Sequence, residues 1–169
     1  TVSGRIIVHL FAATSGTDSD WVVKLIDVYP EDHPDPPQMR GYQLMIADEV
    51  IRAKFRNSFE KPEPVPPGEV VSYTIDLNSR NHTFRKGHRI IIQVQSSWFP
   101  LVDRNPQQFV DIYRAKESDF IKATQRIYRS AGASGKLVIQ NKQNTTEVEL
   151  YCGTEVGVFV KQGSADWTA

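Results

Sequence analysis

The sequence has little that would tie it to a disulfide framework, a membrane or a nucleic acid. Its single cysteine, Cys152, excludes an intramolecular disulfide. No apolar run approaches the roughly 18 residues that span a bilayer, so no membrane partner is expected. The 20 lysines and arginines balance the 20 aspartates and glutamates, and this balance gives no attraction to nucleic acid. A length of 169 residues, of which 40% are apolar, predicts one globular domain over 1–169.

Catalytic and metal-binding motifs are also missing from the sequence. A serine hydrolase needs its nucleophile on a strained turn such as Gly-x-Ser-x-Gly, and no such pattern occurs. Asp18-Ser19-Asp20 begins like a calcium loop, but the oxygen ligands that would complete the loop do not follow. We therefore expect a solvated turn at 18–20, and we predict no catalytic residue, no cofactor and no metal. The histidines suggest no Ser-His-Asp set by their positions; they are His9, His33, His82 and His88.

Alternation of apolar and polar residues with period 2 predicts β-strands over most of the chain. The clearest case is 69–77, where Val71, Tyr73, Ile75 and Leu77 fall on one face. The stretch 21–29 is apolar on both faces and predicts a central strand, whereas 42–55 predicts either a short helix or an irregular strand. The other predicted strands are 4–11, 88–97, 123–130, 136–142, 146–152 and 156–162.

Connections rich in proline and glycine separate the predicted strands, at 29–38, 60–69, 85–89 and 132–136. No long helical pattern interrupts them. Short strands with such connections predict an all-β fold, an antiparallel β-sandwich. The length of the connections favours a jelly roll over a simple meander.

Two residues of the stretch 21–29 are predicted to have structural roles. Trp21 begins an apolar strand and is expected in the core. Asp27 places a charge inside the same strand, and a buried carboxylate must be paired. We expect a structural ion pair, for which the candidate partners are Arg52, Arg89 and Arg104.

The stretch "SSWFPLVDRNPQ" (96–107) contains the candidate site. Trp98 and Phe99 are the residues most suited to contact another surface, and Asp103, Arg104 and Asn105 are expected to fix the turn, with Arg104 available for a bidentate pair. One interpretation is an interface with another domain. The other is a carbohydrate site, in which aromatic rings stack on sugars and polar groups hold the hydroxyls. Of the three tryptophans, Trp167 lies at the C-terminal tail, and only Trp98, with Phe99, sits where a loop could present it to a sugar.

Three stretches of the sequence resemble a known family of serine hydrolases. They are "DSDWVVKLIDVYPED" (18–32), "YQLMIADEVIRAKFRNSFEKPEPVPPGEVVSYTIDLNSRNHTFRKGHRIIIQVQSSWFPLVDRNPQQFVDI" (42–112) and "ATQRIYRS" (123–130). They are similar to the C-terminal domain of the cocaine-esterase-like hydrolases, a group with α-amino-acid ester hydrolases, glutaryl-7-aminocephalosporanic acid acylase and X-prolyl dipeptidyl peptidases. The resemblance covers roughly residues 1 to 140.

The resemblance implies a jelly-roll β-sandwich similar to galactose-binding-like domains. It also implies that the catalytic Ser, Asp and His lie in an α/β-hydrolase domain that precedes the sandwich in the same parent chain. That catalytic domain is the expected partner, and carbohydrate is the alternative partner. The implied role is non-catalytic: the sandwich packs on the hydrolase domain and helps to shape its site region. From the resemblance alone, a secreted or periplasmic setting is favoured over a cytoplasmic one.

The two ends of the sequence bear on this resemblance. Thr1 leads directly into an apolar alternating stretch, so we expect the chain to be a piece of a longer protein. Members of the family are expected to finish soon after a segment like 136–140. Residues 141–169 continue to alternate like strands, and they are predicted to be either extra strands of the sandwich or an atypical tail.

Overall fold

The computed structural model describes residues 1–34 and 36–128 with their side chains, and the backbone of 136–140, 145–152 and 158–160. The regular elements of these residues are β-strands and 3₁₀ segments of three residues each. The strands are β1 (Val2–Thr14), β2 (Asp20–Val28), β3 (Gln43–Arg52), β4 (Val71–His82), β5 (Arg89–Gln95), β6 (Gln125–Ile127), β7 (Lys136–Gln140), β8 (Thr145–Cys152) and β9 (Val158–Val160). The 3₁₀ segments are Pro37–Met39, Ala53–Phe55, Ile112–Arg114 and Glu117–Asp119. None of the described elements is a helix that could cross a membrane.

The strands form two antiparallel sheets. The first sheet has the order β4-β1-β7-β8, with β6 beside the C-terminal end of β1. The second has the order β3-β2-β5-β9. β8 joins the two sheets, because residues 145–149 pair with β7 and residues 150–152 pair with β9. The predicted antiparallel β-sandwich is confirmed, whereas the jelly-roll order and the single domain over 1–169 stay predictions.

The core lies between the two sheets and follows the predicted alternation. On β1, Ile6 and Leu10 are fully buried, and on β4 the side chains of Tyr73 and Leu77 face the same core. Trp21, on β2, is 1% exposed, so its predicted place in the core is confirmed. Each such apolar side chain contributes roughly 1.5–3 kcal/mol when it is fully buried.

The ambiguous stretch 42–55 is a strand followed by a turn. β3 pairs along its length with β2, and the chain then turns through the 3₁₀ segment Ala53–Phe55. Strand pairing satisfies the backbone of this stretch, and Ala47 faces the core. β4 extends to His82, beyond the predicted end at residue 77.

One end of the sandwich carries the long connections. Antiparallel pairing places Asp20, at the start of β2, beside Arg52, at the end of β3. The antiparallel pairing of β2 with β5 likewise places the end of β5 beside the start of β2. Three connections therefore meet at this end, namely residues 15–19, 53–70 and 96–124, and we call them together the loop end.

Candidate functional site

Two buried carboxylates lie at the base of the loop end. Asp18 and Asp20 are 1% and 2% exposed, so the expected solvated turn at 18–20 is wrong. Arg52 donates hydrogen bonds of 2.8 and 2.9 Å to Asp20 from its Nε and Nη2 atoms. The Lys54 ammonium lies 3.9 Å from Asp18 Oδ2. Each buried negative charge therefore has a cation beside it, as burial of a charge demands.

The surroundings of these side chains shift their proton affinities. Burial raises the pKa of Asp18 above its ordinary value, because the charged form loses its water. The backbone N–H of Lys54, which donates to Asp18 Oδ1 at 2.9 Å, opposes that rise. The hydrogen bond to Asp20 raises the pKa of Arg52, which keeps the guanidinium charged.

Asn105 and Asp103 attach the candidate stretch 96–107 to this buried group. The Asn105 side chain is buried, and its Nδ2 donates to Asp20 Oδ1 at 2.8 Å. The Asn105 Oδ1 accepts a 2.8 Å hydrogen bond from the backbone N–H of Gln107. Asp103 takes part through its backbone, because its carbonyl accepts from Arg52 Nη2 at 3.1 Å. Asn105 therefore makes these contacts with its side chain, whereas Asp103 contributes only its backbone carbonyl and its carboxylate is exposed.

Arg104 does not join the buried group. Its guanidinium carbon lies 5.1 Å from the centroid of the Phe120 ring, within the range of a cation–π contact. Arg104 and Lys122 both line an open groove of about 360 Å³ between the end of β5 and the segment that leads into β6. The groove is therefore bordered by two cations.

Trp98 and Phe99 have different surroundings. The ammonium of Lys24 lies 3.8 Å from the centroid of the half-buried Trp98 ring. Lys24 covers that face of the indole, so a sugar would have to displace the ammonium in order to stack on it. Phe99 is 63% exposed and is open to contact with another surface. Trp167 lies outside the described residues.

Most of the exposed large hydrophobic side chains lie at the loop end. Tyr113 is 90% exposed and Phe59 is 86% exposed. The nine such side chains of the described residues divide into seven at the loop end, Phe59, Val70, Phe99, Leu101, Phe109, Tyr113 and Ile121, and two near the start of β3, Tyr42 and Met45. An apolar surface gathered in one region is typical of an interaction site.

Asp27 is buried and paired, but with histidines. Its Oδ2 lies 2.8 Å from His82 Nε2 and its Oδ1 lies 2.8 Å from His88 Nδ1. The expectation of a paired carboxylate is confirmed, and the expected kind of partner is wrong. The arginines named from the sequence form no such pair; they are Arg52, Arg89 and Arg104.

Sequence reasoning missed the two most exposed aromatic residues. Phe59 stands beside the proline-rich connection 60–69, and Tyr113 stands in a polar segment between strands. The available signal was an aromatic side chain outside any alternating stretch, where no core face can receive it. Within the residues that the structure describes, no group of three or more His, Cys, Asp or Glu side chains has an arrangement that could hold a metal ion.

Comparison with known proteins places this fold among hydrolase domains. Residues 1–138 match the X-Pro dipeptidyl-peptidase C-terminal non-catalytic domain. Cocaine esterase of Rhodococcus sp. (strain MB1 Bresler) is 30% identical over 138 residues, which make up 82% of this chain and 22% of that protein. An aminopeptidase from the marine sediment archaeon Thaumarchaeota archaeon superposes with a TM-score of 0.78 and 47% identity. An α-amino acid ester hydrolase superposes with a TM-score of 0.78 and 48% identity.

These matches are extensive for this chain and partial for the relatives. Each superposition covers 80% of this chain and 22% of the other chain. None of the three relatives is named for carbohydrate binding, so the carbohydrate interpretation gains no support from them. The family match covers residues 1–138 and agrees with the resemblance found in the sequence. The chain therefore belongs to the family of X-Pro dipeptidyl-peptidase C-terminal non-catalytic domains.

Proposed function

We propose that the chain is the accessory domain of a larger hydrolase that cleaves ester or amide bonds, and that it docks on the catalytic domain through its loop end. The observation that carries the proposal is the concentration of exposed apolar side chains at the loop end. The relatives are an esterase, an aminopeptidase and an ester hydrolase, and this chain corresponds to 22% of each. In the parent protein, a Ser-His-Asp triad outside this chain would take the acyl group from the substrate and transfer it to water.

Phe59 and Tyr113 are suited to be the main contacts of this docking surface. The Lys54 ammonium donates to the Val110 carbonyl at 2.9 Å, which ties the segment of Phe59 to the segment of Tyr113. Phe59 also stacks on Phe55, with ring centroids 6.2 Å apart. The contact with Phe55 restrains the Phe59 ring, so less entropy is lost when it binds, and exposed aromatic residues such as Tyr113 are common interface hot spots.

The residues of the stretch 96–107 extend the proposed surface. Phe99 would contact the partner directly, and Trp98 would lie at the margin because Lys24 covers one face of its ring. Asp103 and Asn105 would hold the stretch in position from below, through their bonds to Arg52 and Asp20. In the proposed docking surface, apolar side chains would contact the partner, and hydrogen bonds to buried residues would support the backbone that carries them.

The docking test mixes this chain with the separately produced catalytic part of its parent protein. We expect association, and we expect the double variant Phe59→Ser/Tyr113→Ser to weaken it at least about tenfold, as hot-spot losses do. The matched control is Tyr42→Ser/Met45→Ser, which removes two exposed apolar side chains from the start of β3. Isothermal titration calorimetry measures both, and circular dichroism verifies that each variant is folded.

Equal affinities of the two double variants would contradict docking through the loop end. The non-catalytic role has its own test: the chain alone should not hydrolyse p-nitrophenyl acetate. Turnover that disappears when a serine of this chain is replaced would overturn that role. Retention on xylan, cellulose or β-glucan that is lost in Trp98→Ala would favour the carbohydrate interpretation instead.

A further inference from the structure

The groove at the loop end has an excess of positive charge. Its charged lining residues are Arg104 and Lys122, and no carboxylate of the described residues lines it. Neither cation forms an ion pair within residues 1–34 and 36–128. Asp20, beneath the groove, is already paired with Arg52, and the exposed Asp103 does not line the groove. The groove is therefore complementary to an anion.

Arg104 is placed to bind a planar anion. Its guanidinium lies over the Phe120 ring, at 5.1 Å from guanidinium carbon to ring centroid. A guanidinium that rests on an aromatic face keeps its in-plane N–H groups available for a bidentate pair with a carboxylate. Contact with the ring also limits the rotamers of Arg104, so less entropy is lost on binding.

One wall of the groove is held by side-chain hydrogen bonds. Gln125 Nε2 donates to Gln107 Oε1, and Gln107 Nε2 donates to the Asn105 carbonyl at 3.3 Å, so the wall is fixed by hydrogen bonds. Gln125 Oε1 is enclosed and has no hydrogen-bond donor among the described residues. This oxygen is shielded from solvent and therefore lies behind the groove surface, so the contacts open to a ligand are those of Arg104, Lys122 and Phe120.

We propose that this groove binds the side-chain carboxylate of an acidic peptide segment supplied by the catalytic domain. The carboxylate pairs with Arg104 and Lys122, and apolar parts of the segment lie against Phe120. The inference rests on the proposed docking, since it takes the segment from the docked partner. The groove opens at the loop end beside the exposed apolar side chains, so one partner can reach both.

The test uses a blocked tetrapeptide, acetyl-AELA-amide, and its neutral counterpart, acetyl-AQLA-amide. Each is titrated into the ¹⁵N-labelled chain while the backbone amides of Phe120 and Lys122 are followed by NMR. We expect the acidic peptide to give saturable shifts in the roughly millimolar range, and the neutral peptide to bind at least about tenfold more weakly. The shifts caused by the acidic peptide should decrease as salt is added, because salt screens the attraction between its carboxylate and the two cations.

Substitution of the groove arginine gives the second readout. Arg104→Gln should weaken binding of the acidic peptide at least about tenfold. Arg104→Lys should give an intermediate loss, because lysine keeps the charge without the planar fork. The matched control, Arg114→Gln, removes a cation that is 88% exposed and lies outside the groove, and it should leave binding unchanged.

Three outcomes would overturn the inference: no shifts with the acidic peptide, equal binding of the two peptides, or equal losses in Arg104→Gln and Arg114→Gln. The titration contains no catalytic domain, so its failure leaves the docking measured with Phe59 and Tyr113 unaffected. Conversely, if docking fails while the acidic peptide still binds at Arg104, the groove is a site for acidic peptides, but the proposal that the catalytic domain supplies the segment is wrong.

Discussion

Asp27 is a buried carboxylate in an apolar strand, and hydrogen bonds from two imidazoles offset the cost of its burial. His82 and His88 each approach one of its oxygens to 2.8 Å. A carboxylate accepts hydrogen bonds, so both ring nitrogens donate. His82 belongs to β4 of the first sheet and Asp27 belongs to β2 of the second, so this contact also links the two sheets. The group is therefore part of what holds the sandwich together.

The Asp27 group gives the first prediction. In Asp27→Asn the side chain keeps one accepting oxygen and gains an NH2 group that donates, so one of His82 and His88 must change tautomer or lose its hydrogen bond, and both lose a charged partner. We expect the free energy of unfolding to fall by about 2 kcal/mol, the usual cost of an unsatisfied buried polar group. Urea denaturation measures it. Asp48→Asn is the matched control, because Asp48 on β3 forms no ion pair within the described residues, and a similar loss there would contradict the argument.

A second residue-scale prediction concerns pH. Arg5 Nε donates to Asp76 Oδ2 at 2.8 Å, and this bond holds the pKa of Asp76 below its ordinary value of 3.8. An acid with a lowered folded-state pKa stabilises the fold above its unfolded pKa, and this contribution is lost as pH falls through the folded pKa. Arg5→Gln should therefore lower the unfolding free energy near neutral pH and cease to do so in acid.

Denaturation of Arg5→Gln at about pH 7 and about pH 2.5 makes the comparison. Arg85→Gln, at an exposed position without an ion pair among the described residues, should show no pH-dependent difference from the unsubstituted chain. A deficit of Arg5→Gln that persists in acid would count against the Asp76 pair. Asp18 has the opposite sign, because burial raises its pKa and its contribution is present below its ordinary value and lost as pH rises.

At the scale of the element, the connection 96–124 is long but well held. Loops of this length without regular strands are uncommon in compact domains unless they serve a function. Here the short connection 15–19 supports it: the Thr17 N–H donates to the Gln107 carbonyl at 3.1 Å, and the Phe109 N–H donates to Thr17 Oγ1 at 2.8 Å. The surface proposed for docking is therefore built on a fixed backbone.

Gly16 allows the close approach of these two connections. A Cβ at this position would collide with the backbone carbonyl of Gln107, which cannot move without the rest of its connection. We expect Gly16→Ala to cost about 1–3 kcal/mol, the range for overpacking. Thermal unfolding of Gly16→Ala and of Gly68→Ala gives the comparison. Gly68 has open space around it but a φ of 76°, so its substitution tests backbone strain alone.

If Gly16→Ala unfolds at the same temperature as the unsubstituted chain, the close packing of residues 15–19 on 96–124 is not a constraint on the fold. If Gly16→Ala unfolds at a lower temperature, the amide chemical shifts of Gln107 and Phe109 in the folded variant should change more than those of β1, because the disturbance is local to the connection.

At the scale of the molecule, local patterns predicted the strands well and contacts between distant residues poorly. The alternation of Tyr73, Ile75 and Leu77 fixes which face is inward, because side chains alternate along a strand. The partners of Asp27 lie 55 and 61 residues further along the chain, so only the packed sheets bring them together. Likewise, aspartate is common in solvated turns, and nothing local showed that Arg52 and Lys54 would enclose the turn at 18–20.

The final strands give a prediction for the whole molecule. β9 pairs with β5 through Val158 and Phe159, and β8 connects β9 to the first sheet. A chain that ends after residue 140 would leave β5 and β7 each with an unpaired edge, and such edges recruit other strands. We expect this truncated chain to self-associate. Light scattering coupled to size exclusion measures its mass, and a monomer with unchanged unfolding would show that β8 and β9 are dispensable.

The same strand order determines where the molecule opens first. β3 and β4 are the outermost strands, they pack against each other, and Arg80 Nε of β4 donates to the Ile46 carbonyl of β3 at 3.0 Å. This seam is bridged by a side chain, whereas β1 and β2 have hydrogen-bonded neighbours on both sides. Backbone amides of β3 should therefore exchange with solvent through local opening at the seam, and those of β1 and β2 only when the whole sandwich unfolds.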